Sequence, residues 1–315
     1  MLSKARAVYA TKNLSREEWL RLRREGIGGS DAAAIVGLSP WGSPLSVYLD
    51  KRGLSPEKPV SEAMRQGTDL EEYVARRFCE ETGKSVRRCN YILRHETRPW
   101  MLANVDRMVV GEDAGLECKT TSAYNAGGYE EGEIPRCYYV QCQHYMAVTG
   151  MPKWYLAVLV LGVAFHLFEI LKDDEDIAAL EEAEERFWHE HVEPGIPPAP
   201  AGTSADGEAL TILYPHSDET VANLHGLEGT ADMLMHLKAQ KKALEEEIER
   251  YEQTLKAAMG TAERGVLDGY RVCWKSSTRT ILDAKRLKID RPDIYEQYIK
   301  SSETRTFSIR KEKKG

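Results

Sequence analysis

Asn104-Val105-Asp106-Arg107 and Leu116-Glu117-Cys118-Lys119 decide how this chain reads. Between them lies Gly111-Glu112-Asp113-Ala114-Gly115, a turn-forming run flanked by residues 100–110 and 115–121, both of which pattern as strands. Antiparallel pairing about that turn sets Asp106 almost opposite Glu117. Side chains alternate across a strand, so Glu117 and Lys119 share one face and Leu116 and Cys118 the other. Two carboxylates crowded into a dry site repel each other, and an oxygen-ligated divalent cation such as Mg²⁺ or Mn²⁺ relieves the repulsion. An ammonium alongside is then free to orient or help deprotonate an attacking water and to offset charge on a phosphorane-like oxygen, two requirements of phosphodiester hydrolysis. Glu-x-Lys by itself is common, and the competing reading is a solvated charged hairpin.

A length of 315 residues suggests about two domains, and 42% hydrophobic with 30% charged residues is ordinary for a soluble protein. The net charge of −7 argues against broad coating of nucleic acid, so any DNA contact has to come from local basic patches. The first residues lack an apolar signal core, and the longest apolar stretch, residues 154–168, is interrupted by Gly162 and His166. It reads as two buried strands, with no membrane association expected. Cys79, Cys89, Cys118, Cys137, Cys142 and Cys273 show no paired zinc spacing, and Cys137-x₄-Cys142 is not a close cluster-binding run. Reduced thiols in a cytoplasm are the expectation.

Other residues can complete a site. Within a helix over residues 61–82, Glu71 shares a face with Val74, Ala75 and Phe78 and should point inward, whereas Glu72 lies one turn from Arg76 and suits a surface ion pair. Arg23-Arg24-Glu25-Gly26-Ile27-Gly28-Gly29-Ser30-Asp31 leads into a short helix. Its small residues, helix-start N–H groups, hydroxyl and arginines suit a phosphate, and equally an N-cap on Ser30 or Asp31. In a helix over residues 135–149, Gln141 and Tyr145 lie one turn apart and can face the strands, while His144 points elsewhere as a surface or satisfied histidine. Arg21, Arg23, Arg24, Arg76, Arg77, Arg87, Arg88 and Arg94 are the basic residues available to follow a duplex.

The expected organisation is a mixed helix and strand domain over residues 1–193, a Pro/Gly-rich linker or surface strap over 194–215, a long amphipathic helix over 216–260 and a small α/β module over 261–315. Leu234, Leu237, Lys241, Leu244, Ile248, Tyr251, Leu255 and Ala258 recur at coiled-coil-like steps of three and four. Beyond that helix, residues 270–274 alternate as a strand, residues 306–309 suggest another, and short helices fall near 283–287 and 292–299.

Arg23-x₆-Ser30, Gly67-Thr68-Asp69-Leu70-Glu71, Asp106, Glu117-Cys118-Lys119 and Gln141-x₃-Tyr145 follow one another in an order that resembles the YqaJ-like, lambda-type phage exonucleases of the PD-(D/E)xK nuclease superfamily. Ile27-Gly28-Gly29-Ser30-Asp31-Ala32 with Gly37-Leu38-Ser39-Pro40-Trp41, and Gln143-His144-Tyr145-Met146-Ala147-Val148-Thr149-Gly150, are similar to that family in particular. The resemblance spans roughly residues 15–193 and implies an α/β fold, a restriction-endonuclease-like core with a mixed central sheet flanked by helices. The long helix and small-sheet module lie beyond it.

The activity implied is Mg²⁺-dependent digestion of one strand of linear double-stranded DNA from its 5′ end, exposing a 3′ single strand for phage recombination by strand annealing. Mn²⁺ is an alternative metal. By the same resemblance Asp106, Glu117, Glu71 and the Cys118 carbonyl would hold the metal, and Lys119 would position water. Gln141 and Tyr145 would support them, with Gln143 replacing Gln141 if the helix phase differs. Arg23 and Ser30, with Arg24 nearby, would bind the 5′-phosphate. A ring-like homo-oligomer, a single-strand annealing protein as partner and a bacterial host cytoplasm are further implications. The alternatives are a metal-dependent endonuclease or RecB-type nuclease module lacking the end pocket, and a noncatalytic DNA-binding or assembly protein.

Overall fold

The computed structural model describes residues 5–57, 59–301 and 303–312, with backbone alone at 130 and 131. Its elements run β1 (Ala5–Ala10), α1 (Arg16–Arg23), α2 (Gly29–Ile35), α3 (Pro44–Lys51), α4 (Glu62–Thr82), β2 (Val86–Arg88), β3 (Tyr91–His95), β4 (Leu102–Asn104), β5 (Arg107–Val109) and β6 (Ala114–Thr121). They continue with α5 (Arg136–Thr149), β7 (Lys153–Val160), β8 (Ala164–Leu171), α6 (Asp174–Phe187), α7 (Ser204–Leu213), α8 (Glu228–Met259), β9 (Arg264–Leu267), β10 (Tyr270–Cys273), α9 (Ala284–Asp290) and α10 (Pro292–Tyr298). The chain divides into two compact units, one ending at Tyr214 and one beginning at Pro215.

The first unit is built on a five-stranded mixed sheet in the order β2-β5-β6-β7-β8, beside a three-stranded sheet β1-β3-β4. Among the described strands β6 and β7 pair in parallel, Ala114 with Lys153 through Thr121 with Val160. A strand covered on both faces reads as continuous apolar sequence, and β7 does, burying Trp154, Tyr155, Leu156, Ala157 and Val158. On one face α4 packs Val74, Ala75 and Phe78 against Leu116, Tyr155 and Ala157; on the other α5 packs Tyr145, Met146 and Val148 against Trp154, Leu156 and Val158. Local chemistry sets the helix ends. Ser61 caps α4 by accepting from the Met64 N–H at 3.2 Å, and Gly83, at φ 69°, closes it in the left-handed conformation that glycine adopts without strain.

The expected single strand over residues 100–110 is instead two. β4 pairs with β3 and β5 with β2 and β6, so the chain passes from one sheet to the other through Val105 and Asp106. Residues 194–215 also depart from a simple linker, because they contain α7, on which Asp206 and Ala209 are buried. Asp206 accepts hydrogen bonds from Ala201 N–H and from the Thr203 N–H and hydroxyl, all between 2.9 and 3.0 Å. Tyr48 and Arg52 on α3 donate to the carbonyls of Gly195 and Val192, strapping the Pro-rich stretch to the first unit.

The second unit contains the 32-residue α8, which buries no side chain, followed by the antiparallel pair β9–β10 and the short helices α9 and α10. The strand expected at residues 306–309 is not formed. Its residues have no sheet neighbour, since β9 and β10 pair only with each other.

Gly115 lies against the Trp154 ring, and a methyl group added there would sit inside van der Waals contact with the indole. Gly115→Ala should therefore cost about 1–3 kcal/mol through overpacking, read as a lower urea midpoint with an unchanged denaturant slope.

Candidate active site

The register of β5 and β6, Arg107 opposite Leu116 and Met108 opposite Gly115, extends by one step to set Asp106 opposite Glu117. Having left the ladder, Asp106 turns its carboxylate to the edge of β6, where Oδ2 accepts from the Cys118 N–H at 2.9 Å. In a strand the N–H and C=O of one residue leave on the same side, so the Cys118 carbonyl is directed there too. Glu117 and Lys119 emerge together on one face, with Lys119 Nζ 2.6 Å from Glu117 Oε1. The same oxygen accepts from Gln141 Nε2 at 2.7 Å, and Gln141 Nε2 also lies 2.8 Å from the Tyr145 hydroxyl.

Glu117 is only 3% exposed, and its second oxygen, Oε2, is buried with no protein hydrogen-bond partner. A buried carboxylate oxygen without a donor is costly. Burial, then the neighbouring Glu117 charge, hold Asp106 well above its ordinary carboxylate range against the opposing pull of Lys119. Burial raises Glu117 as well, with Lys119 and Gln141 opposing. Lys119 resists its own burial because Glu117 and Asp106 stabilise its charge, and it stays protonated above the usual lysine range.

Glu71 stands close enough to raise both Asp106 and Glu117, but its carboxylate is taken by Arg107. Arg107 is 3% exposed and bonds Glu71, the Asp106 carbonyl at 2.8 Å and Glu72 at 3.1 Å. Glu72 also meets Arg88 at 2.7 Å, so the expected Glu72–Arg76 pair is not made; Arg76 lies by Glu80 instead. Arg107 was missed in the sequence, although a charged residue inside an apolar strand beside Asp106 is the signal that could have found it.

Gln141 faces the carboxylates, which removes the ambiguity of helix phase. Gln143 instead donates to the Leu171 carbonyl and accepts from the Asp173 N–H. His144 is fully buried, not on the surface, between Glu184 at 2.7 Å and the Leu102 carbonyl at 2.9 Å.

At the other expected subsite Arg23 donates to Ser30 Oγ at 3.2 Å and lies 3.7 Å from Asp31. Gly28, not Ser30 or Asp31, is the N-cap of α2, and Asp31 reaches back to its N–H at 2.8 Å. The buried Lys51 pairs with Asp31 at 2.6 Å, which helps hold that carboxylate below its ordinary range against desolvation. Arg24 turns away to Asp50 at 3.5 Å. The two subsites adjoin through Gly29, whose Cα sits so close to Gln141 and Tyr145 that a side chain there would collide with both.

Among the described residues no three His, Cys, Asp or Glu side chains form a ready ligand set. Asp106, Glu117 and the Cys118 carbonyl nevertheless fit Mg²⁺, which favours one or two carboxylates and leaves other positions to water and phosphate. The partnerless Glu117 Oε2 is the structural observation for that fit. No described helix is long and apolar enough to cross a membrane.

The mixed sheet flanked by helices places the first unit in the fold class of the alkaline exonucleases. LHK-Exo, an alkaline exonuclease from Laribacter hongkongensis, is 23% identical, matching 57% of this chain and 94% of its own with a TM-score of 0.49. Its complex with dAMP gives 24% identity, the same coverage and 0.50. A family model described as the YqaJ-like viral recombinase domain matches residues 18–152. Over 320 residues the chain is 42% identical to the uncharacterized protein YqaJ of Bacillus subtilis (strain 168), covering 98% of this chain and 99% of that protein. The chain belongs to the YqaJ-like viral recombinase family.

The raised Asp106 and Glu117 carry a linkage consequence. A carboxyl whose folded pKa lies above its unfolded value favours folding below the unfolded pKa, and that contribution is lost as pH rises through the folded pKa. The metal-free protein should lose stability as pH rises through that window, and Asp106→Asn should reduce the loss. Mg²⁺ or Mn²⁺ should raise the melting temperature of the parent, by about 2.7 kcal/mol of linkage at a hundredfold excess over Kd, and shift Asp106→Asn little. Equal shifts in a thermal melt would remove Asp106 from the metal site.

Proposed function

We propose that this chain is a divalent-metal-dependent exonuclease that degrades one strand of linear duplex DNA from its 5′ end, leaving a 3′ strand for annealing. Membership of a viral recombinase family and a fold shared with LHK-Exo support the reading. The observation that carries it is the meeting of Asp106, Glu117 and Lys119, with Glu117 Oε2 left open.

In this reading Asp106, Glu117 and the Cys118 carbonyl would hold Mg²⁺, or Mn²⁺, which would supply Lewis-acid polarisation of the scissile phosphate. The protein does the rest by positioning. Gln141, with Tyr145 beside it, engages one oxygen of Glu117, and the other is buried without a protein donor. The Lys119 ammonium is fixed beside the reacting group, where it orients the attacking water and offsets charge on a phosphate oxygen. Arg107 holds Glu71 near the pair as added negative potential, so Glu71 acts on the centre through its charge. Arg23 and Ser30 receive the 5′-phosphate, with a single-strand annealing protein as partner and a ring-like homo-oligomer as the working form.

One observation favours a second reading, an endonuclease with the same centre. Arg23 already faces the carboxylate of Asp31. Two variants separate these possibilities. Glu117→Gln should abolish Mg²⁺-dependent loss of linear DNA, and Lys119→Ala should lower kcat by about 10²–10⁴-fold. If parent and Glu117→Gln both leave linear DNA intact in Mg²⁺ and Mn²⁺, the nuclease assignment is wrong. Arg23→Ala should slow attack on 5′-phosphorylated ends and spare unphosphorylated ones; equal slowing on both would reject the end pocket. Duplexes labelled separately at each terminus report the polarity.

A further inference from the structure

A cavity of about 280 Å³ opens between α2 and α5, with Ser30 at one side, Gln141 and Tyr138 at the other and Trp41 in its wall. Ser30 is the residue that receives Arg23, and Gln141 is the residue that holds Glu117. The cavity therefore lies between residues that contact Arg23 and Glu117, and Asp31 and Asp50 also line it. Its remaining prominent feature is aromatic. The Trp41 ring stacks on Tyr138 with centroids 6.1 Å apart and planes inclined by 29°. Tyr138 in turn lies under Lys119, with Nζ 5.2 Å from its centroid.

An isolated exposed tryptophan needs no explanation. Trp41 differs because it is 70% exposed and yet held at the edge of the site. Its backbone N–H donates to Ser39 Oγ at 3.2 Å, and Gly42 presses the loop onto α2, where a Cβ would come within 3.2 Å of the Ala34 methyl. The ring keeps its place by stacking while much of its surface stays free for a planar ligand. Arg23 behind the Ser30 hydroxyl, Lys119 behind Tyr138 and an aromatic wall between them suit a phosphate and a base of one nucleotide.

We propose that Trp41, backed by Tyr138, is a stacking step for the nucleobase of the end nucleotide of the strand being digested. The inference rests on the nuclease reading for its substrate and adds the residue that grips the base. Stacking on an aromatic face tolerates any base, as an enzyme that digests DNA of arbitrary sequence requires.

The test is binding by the full-length protein in EDTA, where no cleavage occurs, to a 5′-phosphorylated duplex carrying 2-aminopurine at its terminal nucleotide. Binding should quench the probe. Trp41→Ala should weaken that binding about tenfold, within the range for losing one base–aromatic stack, and Trp41→Phe should recover most of it. On a duplex whose terminal nucleotide is abasic, parent and Trp41→Ala should bind alike. Unchanged quenching with Trp41→Ala, or an equal loss on the abasic end, would overturn the proposal. Cleavage by the parent in Mg²⁺ is scored separately: retained cleavage without a base-dependent Trp41 effect rejects the stacking step alone. Absent cleavage with that effect rejects the nuclease reading and leaves the stacking step standing.

Discussion

Two carboxylates enclosed side by side are the constraint around which the first unit is arranged. Asp106 and Glu117 each lose solvation on burial and repel each other, so every neighbouring polar group bears on that cost. The Cys118 N–H satisfies one oxygen of Asp106, while Lys119 and Gln141 satisfy one oxygen of Glu117. A further layer fixes these partners. Tyr145 lies against the Gln141 amide, and Gly29 lets the backbone of α2 approach both residues. Arg107 pairs with Glu71 and keeps it near the two carboxylates, where its charge still adds to their repulsion. The arrangement leaves a single buried oxygen, Glu117 Oε2, without a donor, and that imbalance is what a cation would correct.

Much of this was legible in the sequence because strand alternation fixes faces. The spacing from Asp106 to Glu117 to Lys119 about the Gly111 turn gave the facing pair without any knowledge of the sheet. The same rule cannot say where a chain leaves one sheet for another. Leu102, Ala103, Val105, Met108 and Val109 are all buried, so buried apolar residues stand on both sides of the point where β4 ends and β5 begins and do not mark it. The partners of Arg107 were equally hidden, since an arginine's reach depends on which helix crosses its strand. For α7 the obstacle was composition. A Pro/Gly-rich stretch reads as linker until the hydrogen bonds that gather on Asp206 are seen.

His144 shows the limit from the other side. Helix phase correctly turned it away from Gln141 and Tyr145, but phase says nothing of depth. It lies fully buried against Glu184, which outweighs desolvation and raises its pKa. Glu184 is raised too, chiefly by its own burial, and one of its oxygens is without a hydrogen bond. The pair links α5 to α6 and, through the Leu102 carbonyl, to β4. Its place in the fold is structural, behind the helix that carries Gln141.

The charge distribution narrows how this chain can hold DNA. With a net charge of −7 the chain offers phosphates no broad long-range attraction, and most of the arginines available to follow a duplex, Arg21 and Arg87 excepted, are already engaged by carboxylates. Arg76 and Arg77 lie by Glu80 and Glu81, Arg88 by Glu72, Arg94 by Glu25 and Arg24 by Asp50. A duplex laid across this surface would have to displace those partners one at a time, each exchange returning little. Several of these carboxylates are shared with a buried cation: Asp31 beside Arg23 and Asp50 beside Arg24 with Lys51, and Glu72 beside Arg88 with Arg107. A phosphate arriving at Arg23, Arg24 or Arg88 therefore competes with a carboxylate whose charge a second cation already offsets in part.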